Sequence, residues 1–126
     1  MKRHGIILFG HGARDARWAE PFERLAGKLR ATRSDPVSLA FLELMTPSLP
    51  DEVNALVALG ARDITIVPVF LGQGGHLLRD LPLLLDQLRA SHPQATFRTV
   101  PAVGEDPGVL AAMAAYCAGA AERQPA

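Results

Sequence analysis

The chain has 126 residues, thirteen basic side chains against thirteen acidic ones, and 48% apolar residues. That describes a chain that buries one core and excludes a disordered one. The balanced charge gives no support to a general nucleic-acid or anionic-membrane surface. The lone cysteine, Cys117, cannot close an internal disulfide and reads as a packing residue in an alanine-rich segment.

Four strand-like runs alternate with four helix-like ones, the pattern of an α/β fold with right-handed crossovers and a four-stranded parallel sheet. Strands are expected at about residues 4–10, 37–44, 63–71 and 96–102, in the order 2-1-3-4, with helices on both faces. Ile6-Ile7-Leu8-Phe9 runs into Gly10-His11-Gly12, and Val69-Phe70-Leu71 runs into Gly72-Gln73-Gly74-Gly75-His76. Unbroken apolar runs of this kind fit strands covered on both faces. In the first helix Trp18, Phe22, Leu25 and Leu29 form one apolar stripe. Either Asp15 caps it and Pro21 kinks it, or it begins near Glu20 with Pro21 at its first position.

The second helix opens on Ser48 as N-cap, with Asp51 and Glu52 in its first turn, and closes at Gly60. The third runs from about Leu77 to Ser91, burying Leu77, Leu81, Leu84, Leu85 and Leu88, with Pro82 expected to bend or restart it. Asp106-Pro107 caps the fourth, which continues through Leu110, Met113, Ala114 and Cys117 toward a tail that frays from about residue 120. A single domain is expected over residues 1–126. The N-terminal apolar run reads as a core strand rather than a leader, no stretch reaches membrane-spanning length, and a cytoplasmic location is expected.

In an open parallel sheet, groups just past the carboxyl ends of the strands face the ligand crevice. His11, Glu43 and His76 follow the first three strands in turn, and with strands 2, 1 and 3 adjacent they can converge. Two imidazoles and a carboxylate suit a borderline divalent ion such as Co²⁺, Ni²⁺, Fe²⁺ or Zn²⁺, with positions open for a substrate. Each taken alone has a plainer reading: a structural histidine in a glycine turn, a surface carboxylate. Glu43, however, follows Leu39-Ala40-Phe41-Leu42, where an unpartnered charge is costly.

The glycines at 72, 74 and 75 lack the lysine and hydroxyl of a nucleotide P-loop, and they read better as a wide turn that admits a flat ligand close to the backbone. Arg3-His4-Gly5 carries the letters of a histidine-phosphatase signature but precedes its strand, at the wrong edge of the sheet. Arg14, Arg17 and Arg79 stand near the two histidines, either as solvated surface or as two-pronged partners for substrate carboxylates. Asp80 reads as an orienting group for His76 or as a plain first-turn acid. His4 and His92 read as unrelated to the site.

His11-Gly12, Phe41-Leu42-Glu43 with Pro47, and Pro68-Val69-Phe70-Leu71 with Gly75-His76 and Asp80-Leu81-Pro82 resemble the small form of the sirohydrochlorin cobaltochelatases, class II chelatases related to the sirohydrochlorin ferrochelatases and nickelochelatases. The resemblance spans Gly5 to about Tyr116. It implies a chelatase-like, flavodoxin-like fold, ATP-independent insertion of a divalent metal into sirohydrochlorin, no cofactor beyond the substrate metal, and a homodimer. It places metal binding and catalysis on His11 and His76, with Glu43 as the acidic helper. Substrate contacts are expected from Gly12, Ala13, Arg14, Gly74, Gly75 and Arg79. Where the family commonly has serine, this chain has Ala13. Alternatives within the resemblance are insertion of Fe²⁺ or Ni²⁺, and a carrier that binds tetrapyrrole or metal without turnover.

Overall fold

The computed structural model describes residues 3–72 and 74–123; the side chains at positions 76–78 lie outside that description, as does the end of the tail. Four parallel strands, β1 (His4–Gly10), β2 (Val37–Phe41), β3 (Asp63–Pro68) and β4 (Thr96–Thr99), form one sheet in the order β2-β1-β3-β4. This is the expected order. β1 is apolar without alternation because both its faces are covered. Ile7 and Phe9 are fully buried on one side with Ile64, Ile66 and Phe97, while Ile6 and Leu8 pack on the other with Ala26 and Val37.

Three strands end sooner than their apolar runs suggest. β2 stops at Phe41, β3 at Pro68 and β4 at Thr99, yet some ladder bonds continue beyond: Val69 N–H donates to the Phe9 carbonyl at 2.8 Å. The extra apolar residues serve the rim rather than the strand, which is why periodicity alone overextends them.

The helices are α1 (Ala19–Thr32), α2 (Leu49–Ala58), α3 (Gly75–Ser91) and α4 (Pro107–Glu122). Val53 and Leu56 of α2 and Leu81, Leu85 and Leu88 of α3 fill one face of the sheet, with Leu84 packed at its edge. Ser48 caps α2 as expected, accepting from Asp51 N–H at 3.2 Å, and Gly60 turns the chain out at φ +102°. α3 runs unbroken through Pro82, so the expected restart does not occur.

α1 resolves the two readings of its start into a third. Asp15 caps a short 3-10 turn, Ala16–Trp18, and the α-helix begins at Ala19 with Pro21 in its first turn, where a missing N–H costs nothing. The expected stripe is also corrected. Phe22 and Ala26 are the buried residues, whereas Trp18 and Leu25 are exposed, since α1 spans only the β1 and β2 half of its face.

α4 is capped by Asp106, which accepts from Val109 N–H at 3.1 Å, with Pro107 first in the helix. Its expected packing face is not buried: no residue of α4 is, and Cys117 is exposed rather than a packing residue. Nor does it fray at 120, because the helix continues to Glu122; the expectation for residues 124–126 lies outside the described residues. No helix among the described residues is long and apolar enough to cross a membrane.

Asp35 ties the N-terminal edge of the sheet together, accepting from Arg33 and from His4 Nδ1 at 3.3 Å. The Arg33 guanidinium, and then His4, hold its carboxyl below the usual range. A lowered carboxylate stabilises the fold above the unfolded-state value of about 3.9 and loses that contribution as pH falls through the folded value. Asp35→Asn should therefore narrow the stability gap between pH 6 and pH 2.5 in thermal melts at the two values. An unchanged gap would show that the ion pair contributes nothing.

Candidate functional site

The parallel ladder continues past the ends of β1 and β2: Leu42 N–H donates to the Gly10 carbonyl at 2.9 Å and Glu43 N–H to the His11 carbonyl at 3.1 Å. This sets His11 and Glu43 side by side at the carboxyl rim, where His11 Nε2 donates to Glu43 Oε1 at 2.9 Å. A carboxylate only accepts, so the imidazole donates from Nε2; in the neutral ring that tautomer puts the lone pair on Nδ1.

The same spacing has a second chemical meaning. Two ligand atoms bound cis to one ion at about 2.1 Å each lie about 3 Å apart, so a divalent cation can take both atoms by displacing the proton between them. Both side chains are about half exposed, at 50% and 55%, which leaves them open to an incoming partner.

The backbone around the pair is tightly specified. Gly12 turns the chain at φ +98°, and a Cβ there would stand 1.9 Å from the Glu43 carbonyl oxygen. Leu44, next to Glu43, holds the left-handed conformation at φ +66° with its side chain 59% exposed. Phe41 N–H donates to the Pro47 carbonyl at 2.9 Å, across a cis Thr46–Pro47 peptide, closing the 42–47 loop on itself. Ala13 and Arg14 face Leu44, Met45 and Thr46 across a hollow of about 470 Å³.

On the β3 side, Phe70 packs against the His11 ring with centroids 6.2 Å apart. Gly74 and Gly75 are exposed, and the exposed Arg79 reaches back so that its Nη2 lies 3.9 Å from where a Gly75 Cβ would stand. His76 is the second residue of α3, so its backbone starts at this same rim; its side chain lies outside the described residues. Among the described residues no group of three His, Cys, Asp or Glu side chains forms a metal cluster. Arg17 is taken up by Asp15, its Nη2 donating at 2.7 Å. His4 bonds Thr65 Oγ1 at 2.8 Å and His92 bonds Asn54 at 2.8 Å, both away from the site as expected. Asp80 is half buried near the start of α3 and is engaged in an interaction of its own.

Sequence reasoning passed over Phe70 as the neighbour of His11, Leu44 and Leu71 as exposed apolar groups at the rim, and Gly104. Gly104 N–H donates to the Phe70 carbonyl at 2.9 Å, and a Cβ at 104 would lie 1.7 Å from the Leu71 carbonyl oxygen. The close approach anchors the loop that leads to His76. Gly104→Ala should displace that loop and cost about 1–3 kcal/mol in denaturant unfolding, whereas a loss under 0.5 kcal/mol would show that the loop yields freely. The letters Gly-Glu-Asp-Pro signal a turn, but no local pattern reveals partners as distant in sequence as Phe70 and Leu71.

Comparison with known proteins agrees with this architecture. A sirohydrochlorin cobaltochelatase from Methanothermobacter thermautotrophicus is 36% identical over 81 residues, covering 64% of this chain and 57% of that protein. The match thus spans 57–62% of the length of this and two further sirohydrochlorin cobaltochelatases, from Methanococcus aeolicus and Methanocaldococcus jannaschii. The crystal structure of a CbiX protein from Marinobacter aquaeolei superposes with a TM-score of 0.86 at 36% identity, covering 96% of this chain and 99% of the other. The sirohydrochlorin chelatase SirB from Bacillus subtilis, solved in complex with cobalt, superposes with a TM-score of 0.80 at 27% identity, covering 94% of this chain and 51% of SirB. The CbiX family model matches residues 5–118, and with sheet order, rim and sequence in agreement the chain belongs to the CbiX family.

Proposed function

We propose that this protein inserts a divalent metal, Co²⁺ first, into sirohydrochlorin without ATP, acting as a homodimer. The observation that carries the reading is the His11–Glu43 pair at 2.9 Å on the open rim of the sheet, beside the start of the helix that bears His76. Insertion requires a ligand set that takes a metal and releases it, and a base for the two pyrrole protons that leave the macrocycle. Neutral imidazole serves either need near neutral pH. His11 and His76 hold the incoming ion over the ring, and Glu43 completes the coordination or accepts a proton. Arg14 and Arg79 are the cations of the rim that would meet carboxylates of the macrocycle, and the glycines at 12, 74 and 75 would let its flat face approach the backbone. Ala13 supplies no hydroxyl there.

Fe²⁺ and Ni²⁺ accept the same nitrogen and oxygen ligands, so the choice of metal among them rests on supply as well as on affinity. Comparison supports the second copy: this chain covers 51% of SirB, and a single lobe would leave a macrocycle exposed on one side. Anaerobic mixing of the purified protein with sirohydrochlorin and Co²⁺, Ni²⁺ or Fe²⁺ should show metal-insertion absorbance changes faster than in protein-free controls. Tight binding of sirohydrochlorin with no acceleration for any metal would instead make the protein a carrier.

A further inference from the structure

The loop after Glu43 is held in a costly shape that does nothing for the core. Leu44 sits in the left-handed region at φ +66°, which a bulky apolar residue avoids because its Cβ crowds the following carbonyl. Its side chain is 59% exposed and belongs to neither apolar cluster of the core. Burial therefore does not account for the conformation, and glycine or asparagine would hold the same turn at less cost. Backbone strain kept beside a reactive pair points to a side chain needed where the turn puts it.

The turn puts Leu44 on the wall of the hollow of about 470 Å³ that it shares with Ala13, Arg14, Ala16, Met45 and Thr46. This hollow adjoins the His11–Glu43 pair on both sides: Arg14 lies just past His11, Leu44 directly follows Glu43, and the Glu43 N–H to His11 carbonyl bond at 3.1 Å ties the two loops at their roots. Its volume is at the low end of the roughly 300–1,000 Å³ of small-molecule pockets, which suits one part of a macrocycle rather than the whole. Its charge is unbalanced. Asp15 is taken by Arg17 at 2.7 Å and Glu43 by His11 at 2.9 Å, whereas the exposed Arg14 has no hydrogen-bond or ion-pair partner among the described residues. A free guanidinium, the Thr46 hydroxyl and the apolar walls of Leu44 and Met45 complement a short aliphatic chain that ends in a carboxylate. The walls shield its methylenes from water while the guanidinium meets both of its oxygens.

We infer that this hollow receives one carboxylate arm of the tetrapyrrole, with Arg14 on the carboxylate, Thr46 as a second donor and Leu44 along the methylenes. The inference rests on the sirohydrochlorin reading above and adds the point at which the ring is fixed. A flat macrocycle lying on the rim is free to slide and to turn about its own axis. One arm seated to the side removes both freedoms, so Leu44 and Arg14 are positioning residues that align the ring over His11 and Glu43 without touching the metal or the departing protons.

Anaerobic titration of metal-free sirohydrochlorin into the intact protein, followed by its absorbance, tests this without turnover. Arg14→Gln and Leu44→Asn should each raise the dissociation constant about tenfold. The double variant should lose less than the product of the two, because both changes act on one arm. Leu44→Asn should also melt at or above the temperature of the natural protein, since asparagine tolerates the left-handed conformation. A natural protein that does not bind sirohydrochlorin overturns the subsite and the sirohydrochlorin reading together. Binding that either variant leaves unchanged, losses that simply multiply, or a Leu44→Asn protein that melts several degrees lower overturns the subsite and leaves that reading intact.

Discussion

His11→Ala should lower the proposed rate of metal insertion into sirohydrochlorin by about a hundredfold or more, the usual span for a lost acid–base or ligand group, while the melting temperature should stay within a few degrees of the natural protein. The stability half of this expectation follows from position: the His11 side chain is half exposed and its one bond is to a half-exposed carboxylate, an arrangement worth little to the fold. The activity half follows from the 2.9 Å edge that the pair offers to an ion. Glu43→Gln separates the two ways Glu43 acts. Its amide oxygen can still accept from Nε2 and keep the ring oriented, but it neither carries charge nor takes a proton. A large rate loss in Glu43→Gln with metal affinity retained assigns Glu43 to proton transfer, and a parallel loss of both assigns it to coordination. Wild-type rates in His11→Ala would remove this site from the reaction.

The rim pair also shows what a sequence discloses and what it withholds. Placement of His11 and Glu43 at one end of adjacent strands was legible, because glycine-terminated apolar runs define strand ends and the α/β alternation defines strand order. The register that makes them touch was not, since it depends on two ladder bonds beyond the strands and on a loop that closes through Phe41 and Pro47. The stripe of α1 failed for a different reason. Spacing identified Trp18, Phe22, Leu25 and Leu29 as one face, but how much of a face is covered is set by the width of the sheet beneath it, and only Phe22 among these is buried. α4 extends the same lesson: Asp106-Pro107 announced its start, whereas its want of a surface to cover appears only in three dimensions.

Gly12→Ala tests the geometry behind the pair more sharply than any change to the His11 or Glu43 side chains. At φ +98° an alanine pays about 1–2 kcal/mol for its conformation alone, and its Cβ would stand 1.9 Å from the Glu43 carbonyl oxygen, well inside contact distance. Relief requires the 42–47 loop to move, and that loop is closed by the Phe41–Pro47 bond at 2.9 Å. Overpacking of this sort adds about 1–3 kcal/mol, so the variant should lose about 2–5 kcal/mol in denaturant unfolding. Gly27 is the control: it lies inside α1 with nothing within 4 Å of its would-be Cβ, so Gly27→Ala should stabilise the chain by about 0.5–1 kcal/mol. Because the displaced backbone carries Glu43, the Gly12 variant should also lose insertion activity at temperatures where it remains folded. Unaltered stability would mean that the two loops do not meet as described. Lost stability with full activity would mean that Glu43 keeps its place by another route, and that the close approach at Gly12 serves the fold alone.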